Sequence, residues 1–139
     1  MRTVLERLWA WLTRSRMPQL KGEGDFSFPI AGEVQFQSAL ERIAGGKREE
    51  SCEKYVKARL VPEPTEHDPD AVSVEIKGRK VGYLAAPIAP KYLEQMAALG
   101  LSGPAQCKAV IVGGWRRPGG DEGTFGVRLD VSWPIAMYE

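Results

Sequence analysis

The alternation of apolar and polar residues in short runs is the feature that most restricts how this chain can fold. In AVSVEI (residues 71–76), the side chains of Val72, Val74 and Ile76 fall on one face of an extended segment. A KGRK turn follows, in which Gly78 supplies a permissive backbone before the sequence VGYL begins. This pattern is typical of a β-hairpin that has one buried face.

The rest of the chain repeats this kind of pattern and adds two helices. Four more runs favour strands: FPIAGEVQF (28–36), KYVKARLV (54–61), AQCKAVIVGGW (105–115) and TFGVRLDVSW (124–133). In the last run, four apolar side chains alternate inward: Phe125, Val127, Leu129 and Val131. The helical segments are QSALERIAGG, with a stop at Gly45, and IAPKYLEQMAALG, with a stop at Gly100.

The order of elements predicts the fold class. It reads strand, helix, three strands, helix, two strands, and short links between neighbouring strands favour an antiparallel curled sheet or small barrel. A chain of 139 residues suits one domain with a single core. We therefore expect a mostly β domain of about six strands and two short helices over residues 28–139. Residues 1–27 are expected to form an N-terminal helix and a linker.

The N-terminal sixteen residues predict an amphipathic helix. Apolar residues recur there at helical spacing, with arginines between them: Val4, Leu5, Leu8, Trp11 and Leu12. The uninterrupted apolar region and cleavage site of a secretory signal are missing, and no stretch reaches the ~20 apolar residues that span a bilayer. The apolar face can pack on its own domain, dock a protein partner or lie on a membrane surface. With Cys52 and Cys107 as buried thiols, the expected location is the cytoplasm.

The sequence carries no motif that predicts an enzyme. It lacks a phosphate-binding loop, a nucleophile elbow and the HExxH zinc motif. His67 is the single histidine, so a small hydrolase built on it is the least favoured alternative. The acidic residues around it lack the spacing of a calcium loop. We therefore expect no metal, no cofactor and no small-molecule substrate.

Basic and aromatic residues favour a binding function instead. The formal net charge is only +1, so an anionic partner would need a local patch. Cations occupy outward strand positions or turns: Lys57, Arg59, Arg79, Lys80, Arg116, Arg117 and Arg128. Cations for phosphates and flat rings for bases are what a binder of single-stranded nucleic acid needs. The alternative from composition alone is a solvated basic face above ordinary core aromatics.

The stretch EPTEHDPDAVSVEIKGRKVGYL (63–84) resembles the central motif of the HIRAN domain family. IAGEVQFQSAL (30–40), CKAVIVGGW (107–115) and FGVRLDV (125–131) agree as well, so the resemblance covers about residues 28–133. It implies a modified OB-like β-barrel that captures the 3′ end of single-stranded DNA in DNA repair or replication. The helicase motor found beside some members is absent from this sequence, so no ATPase activity is carried over.

The resemblance also implies which residues would contact DNA. His67 takes the place of a base-stacking aromatic, and Asp68 that of a carboxylate that accepts the 3′-hydroxyl. Eight further residues complete this predicted site: Val34, Gln35, Phe36, Tyr83, Phe125, Arg79, Lys80 and Arg128. The first three would supply backbone contacts and a stacking ring, and Tyr83 would lie near phosphates. Phe125 would pack on a base, and the three cations would attract the strand.

Departures from the family pattern support a second prediction. The loop is one residue shorter than usual, and Glu66 adds negative charge where DNA would approach. The segment 85–87 reads Ala-Ala-Pro where the family often carries lysines. Each missing cation weakens DNA binding and its salt dependence. The alternative is a protein-interaction module that keeps the fold and binds DNA weakly or not at all.

Overall fold

The computed structural model describes residues 17–138, in which one antiparallel sheet dominates. Its six strands are β1 (Phe28–Pro29), β2 (Cys52–Pro62), β3 (Val72–Ile76), β4 (Arg79–Tyr83), β5 (Ala105–Gly113) and β6 (Phe125–Asp130). Their order in the sheet is β1-β6-β5-β2-β3-β4, and every neighbouring pair is antiparallel. The sheet curves into a half-barrel. The predicted mostly β class with an antiparallel curled sheet is therefore confirmed.

The two edges of the half-barrel are joined at one point just after β1. Ala31 and Tyr83 exchange two backbone hydrogen bonds, with N–O distances of 2.7 and 2.9 Å. Strand β1 pairs with β6 at one edge of the sheet. The residues that directly follow β1 pair with β4 at the opposite edge. Gly82 permits this approach, because a Cβ there would lie 2.8 Å from the carbonyl oxygen of Ala31.

Two α-helices pack on the sheet, close to where the sequence predicts them. Helix α1 (Gln37–Ala44) ends at Gly45, whose φ of 85° is left-handed, and helix α2 (Ala89–Ala98) has a proline in its first turn. Leu99, the last apolar residue of the segment predicted to be helical, is 46% exposed. The helix ends one residue earlier, so Leu99 leaves the helical face. In the described part of the chain, no helix is long and apolar enough to cross a membrane.

The segment 28–36 differs from the expected strand. Only Phe28–Pro29 is extended, and a 3-10 helix follows at Glu33–Phe36. Gly32 separates the two with a φ of 81°, a left-handed conformation that turns the chain out of an extended path. The alternation in the sequence was too loose to distinguish these outcomes.

The core lies between the concave face of the sheet and the two α-helices. Every strand from β2 to β6 contributes fully buried side chains, among them Leu60, Val74, Ile76, Val81, Ile111 and Leu129. The predicted inward residues of the last run, Phe125 to Val131 at every second position, are all buried. Removal of this much apolar surface from water is the main favourable contribution to folding.

Residues 18–21 belong to the packed structure, whereas the sequence placed them in a linker. Leu20 is 2% exposed and its N–H donates to the carbonyl of Gln106 at 2.8 Å. Lys21 donates to the carbonyl of Ala136, also at 2.8 Å. A single leucine among polar residues carried too weak a signal to predict this. The amphipathic helix predicted for residues 1–16 lies outside the described residues.

Both cysteines are free thiols, as expected. Cys107 is buried in β5, whereas Cys52 is only half-buried at the start of β2. Burial, together with the negative charge of Asp130, raises the pKa of Cys107 to about 12. The Cys107 thiol therefore stays protonated near neutral pH and acts as a core residue.

Candidate nucleic-acid interface

The loop between β2 and β3, residues 63–71, is folded by its own hydrogen bonds. Its base closes where the N–H of Glu63 donates to the carbonyl of Ala71 at 2.8 Å. Within it, the N–H of Thr65 donates to the carbonyl of Asp68, and the N–H of Asp68 donates to Thr65 Oγ1, both at 2.9 Å. The loop therefore has a defined shape although most of its side chains are exposed.

Asp68 is at the centre of this loop and its carboxylate faces solvent. Its Oδ1 accepts the N–H of Asp70 at 3.1 Å, the bond of an Asx turn. No ion pair involves Asp68 within residues 17–138. An ionised carboxylate offers about four lone-pair sites, so acceptor capacity remains for a ligand hydroxyl. His67, the neighbouring predicted stacking residue, is also exposed.

Lys80 attaches the start of this loop to β4. Its Nζ lies 2.7 Å from Glu63 Oε1, 3.3 Å from the Tyr83 hydroxyl and 5.2 Å from the centre of the Tyr83 ring. The hydrogen bond with Lys80 lowers the pKa of Glu63, and the same bond raises the pKa of Lys80. One of the three cations predicted to attract DNA, Lys80, is thus neutralised within the protein.

Tyr83 also connects β4 with the 3-10 helix. The ring centres of Tyr83 and Phe36 are 6.1 Å apart with planes tilted by 58°, a range in which aromatic pairs attract. Both side chains are partly exposed. The structure therefore brings together the two predicted rings, Phe36 and Tyr83, beside the Lys80–Glu63 pair.

Side-chain bonds to β6 hold the 3-10 helix and the start of α1 in place. Gln37 accepts the N–H of Phe125 at 2.8 Å and donates to the carbonyl of the same residue at 2.9 Å. The carboxylate of Glu33 accepts the N–H of Val127 at 3.3 Å. These positioning residues were not singled out from the sequence, because their partners lie about ninety residues further along the chain.

A shallow pocket of about 390 Å³ opens beside Phe36. It is lined by Gln35, Phe36, Ser38, Ala39, Arg42 and Arg79. It places the predicted Arg79 with Arg42, a residue of α1 that no pattern in the sequence distinguished. Val34, also predicted, is 74% exposed on the 3-10 helix. Two arginines beside a ring are suited to bind a phosphate and stack on a base.

Two predicted residues lie apart from this group. The ring of Phe125 is 2% exposed, and a Cβ on Gly114 would overlap it. It is therefore a core residue with no face for a base, in agreement with its inward strand position and not with the role implied by the resemblance. Arg128 is exposed on β6, opposite Pro29 of β1, and it does not line the pocket that contains Arg42 and Arg79.

The eight remaining predicted residues lie on two surfaces. The loop carries His67 and Asp68, and the 3-10 helix and β4 carry Val34, Gln35, Phe36, Arg79, Lys80 and Tyr83. No group of three or more His, Cys, Asp or Glu side chains in the described residues is arranged to hold a metal ion. No family model, curated protein or solved structure matches this chain.

Proposed function

We propose that this domain is a non-enzymatic module that binds single-stranded DNA at a free 3′-hydroxyl end, in DNA repair or replication. We also propose that its half-barrel is an OB-like barrel of the HIRAN type. The observation that carries the proposal is the exposed carboxylate of Asp68, held in a self-bonded loop with no cation in ion-pairing distance among residues 17–138.

The chemistry of Asp68 distinguishes two kinds of DNA end. A carboxylate accepts an O–H hydrogen bond from a 3′-hydroxyl, and such charge-assisted bonds are among the stronger ones. A 3′-phosphate would instead bring two negative groups together without an intervening cation. His67 on the same loop and the Phe36–Tyr83 pair offer rings on which the terminal bases can stack.

Phosphates would be attracted by the pocket that contains Arg42 and Arg79. These two arginines do not form ion pairs within the described residues. The salt dependence of binding should be modest, because only a few cations lie near the loop.

A protein-interaction module is the second candidate, and two observations favour it. Glu63 neutralises Lys80, and Val34 is an apolar side chain with 74% exposure beside the same surface. Under this alternative, the N-terminal sixteen residues or the surface around Val34 would contact a protein partner. A membrane surface remains the other predicted contact for the N-terminal segment.

The proposal is tested by fluorescence anisotropy at low salt with two strands that differ only at the 3′ end. The wild-type protein should bind the hydroxyl end at least about tenfold more tightly than the phosphate end, since a hydrogen bond to a charged group contributes about 1.5–3 kcal/mol. Asp68→Asn should remove most of this preference. The asparagine keeps an oxygen for the Asp70 N–H, so the loop itself should persist.

Glu66→Gln is the matched control, because it removes one charge from the same loop and no hydrogen bond of Glu66 is found there. It should strengthen binding of both strands equally and leave the end preference unchanged. Equal affinity of the wild-type protein for the two ends would refute end recognition. Absence of binding to either strand would favour the protein-interaction module.

A further inference from the structure

A second group of basic side chains lies on the convex face of the sheet. Lys57 in β2 is directly opposite Lys108 in β5, and both are exposed. Like charges that face each other across two strands destabilise a sheet. Neither lysine takes part in an ion pair within residues 17–138. The pair therefore has an energetic cost, and no ion pair of either lysine offsets it in this part of the chain.

A small pocket adjoins this pair of lysines. It has a volume of about 210 Å³ and is lined by Lys57, Ala58, Arg59, Glu75, Lys77, Gly78 and Gln106. Three of these side chains are cationic and one is acidic. We call Lys57, Arg59, Lys77 and the neighbouring Lys108 the basic pocket. Its net positive charge makes an anion the complementary ligand.

Two carboxylates near the basic pocket do not cancel its charge. Glu75 lies opposite Arg59 on one side and Lys80 on the other, and it forms an ion pair with neither. Asp130 lies opposite Lys108 in β6, but it is 5% exposed and accepts the N–H of Gly24 at 2.9 Å. The lysine and arginine head groups of the basic pocket therefore remain available to a ligand in solvent.

The basic pocket is continuous with the candidate site. Arg59 is two strands away from Lys80 in the same row, a separation of about 10 Å at the usual spacing of neighbouring strands. Tyr55, two residues before Lys57 on the same face, presents a ring that is 61% exposed. A positively charged track with an exposed ring is how sequence-tolerant proteins bind a single strand.

We propose that the basic pocket binds backbone phosphates of the DNA strand further from its 3′ end, while the loop that contains Asp68 holds the end itself. This inference rests on the proposed function. Lys80 is paired with Glu63 and residues 85–87 contain no lysine, so the basic pocket would supply the phosphate contacts that these positions do not. Lys77 and Lys108 were not among the cations selected from the sequence, because only the register places them beside Lys57.

The test compares Lys57→Gln/Lys108→Gln with the wild-type protein on two single strands that end in a 3′-hydroxyl. One strand has about 12 nucleotides and the other about 4, the range over which such sites differ in length. At about 50 mM salt, the double variant should bind the longer strand about tenfold more weakly for each phosphate contact that is lost. The slope of log K against log salt concentration should become shallower by about 0.7 for each such contact. Affinity for the short strand should stay unchanged.

Two controls separate binding from folding and net charge. Lys91→Gln removes an exposed lysine from α2. It should change the affinity for either strand by no more than about twofold, because a charge remote from the phosphates is screened by salt. The double variant should unfold at the wild-type temperature or above, because the repulsion between its two lysines is gone. A loss of binding in a stable variant is then a loss of contacts.

The outcomes distinguish this inference from the proposed function. If the double variant binds the longer strand as Lys91→Gln does, the basic pocket is overturned even where the preference for a 3′-hydroxyl persists. If that preference is absent and the double variant still loses affinity, the basic pocket stands and end recognition fails. If the wild-type protein binds phosphatidylserine vesicles and no DNA, the pocket is a membrane contact and the inference is overturned.

Discussion

Neighbouring residues in this domain differ in whether their side chains are free to contact a ligand. Arg79 and Lys80 are neighbours in β4, yet Arg79 lines an open pocket and Lys80 is bonded to Glu63 and the Tyr83 hydroxyl. Asp68 and Asp70 are two residues apart, and the backbone N–H of the second bonds the carboxylate of the first. At this scale, the availability of a side chain to a ligand depends on its local partners more than on its residue type.

The first prediction at residue scale concerns Gly82, where the two edges of the half-barrel meet. Gly82→Ala would place a Cβ 2.8 Å from both the Ala31 carbonyl oxygen and Ile30 Cδ1. The backbone must then shift, and we expect a loss of about 1–3 kcal/mol in the free energy of unfolding, as for other overpacked sites. Urea denaturation measures it.

Gly103→Ala is the matched control, since nothing lies within 4 Å of a Cβ at that position. It should be neutral or slightly stabilising, because alanine restricts the unfolded chain. A similar change in both variants would show that the approach of Ala31 to β4 is not required for stability.

At the scale of elements, the 3-10 helix is held from a distance. Its sequence EVQF has no residue at its start that caps it through a side chain, and none of its own side chains is buried. Bonds from Glu33 and Gln37 to the backbone of β6 compensate for this. The position of Phe36 next to Tyr83 thus depends on β6, a strand that lies about ninety residues later in the chain.

We therefore expect Gln37→Ala to destabilise the protein by about 1–3 kcal/mol, the cost of leaving buried polar groups without partners. The N–H and carbonyl of Phe125 both lose their bonds to the Gln37 amide. Binding of single-stranded DNA should also weaken, because Phe36 is no longer held. Chemical denaturation and anisotropy measure the two effects.

Gln35→Ala controls for the loss of a glutamine from the same segment. Gln35 is exposed, so its replacement should leave stability within about 0.5 kcal/mol of the wild-type value. The opposite ranking of the two variants would mean that the bonds to Phe125 do not position the 3-10 helix.

At the scale of the whole molecule, the folded unit begins earlier than the sequence pattern indicated. Residues 18–21 lie between β5 and the C-terminal segment, and Leu20 completes the core. The chain then passes Asp130, where a Cβ on Gly22 would overlap the carboxylate, before it reaches β1. Both ends of the described chain are therefore part of one packed structure.

This arrangement predicts that Leu20→Ala costs about 2–5 kcal/mol in the free energy of unfolding, the usual cost of truncating a buried leucine. Leu99→Ala makes the same chemical change at a side chain that is 46% exposed, and it should cost well under half as much. Thermal unfolding of the two variants decides. Equal losses of stability in the two variants would indicate that residues 18–21 are a linker and not part of the core.

Much of the architecture could be predicted from local patterns. The alternation in 71–76 predicted β3, and the apolar spacing with Gly45 predicted α1 and its end. The segment 28–36 was harder, because Gly32 interrupts a sequence that contains only loose alternation. The exposed loop with His67 and Asp68 followed from a resemblance, and its function stays a prediction.

The sequence by itself determined the class of fold, because a period of two residues is a local property that one short segment displays in full. Only the tertiary structure decided which side chains meet. Lys80 bonds Glu63, Phe125 lies in the core, and Lys57 faces Lys108. The physical reason is register: the pairing of strands distant in sequence determines each neighbour, and no local pattern specifies that pairing.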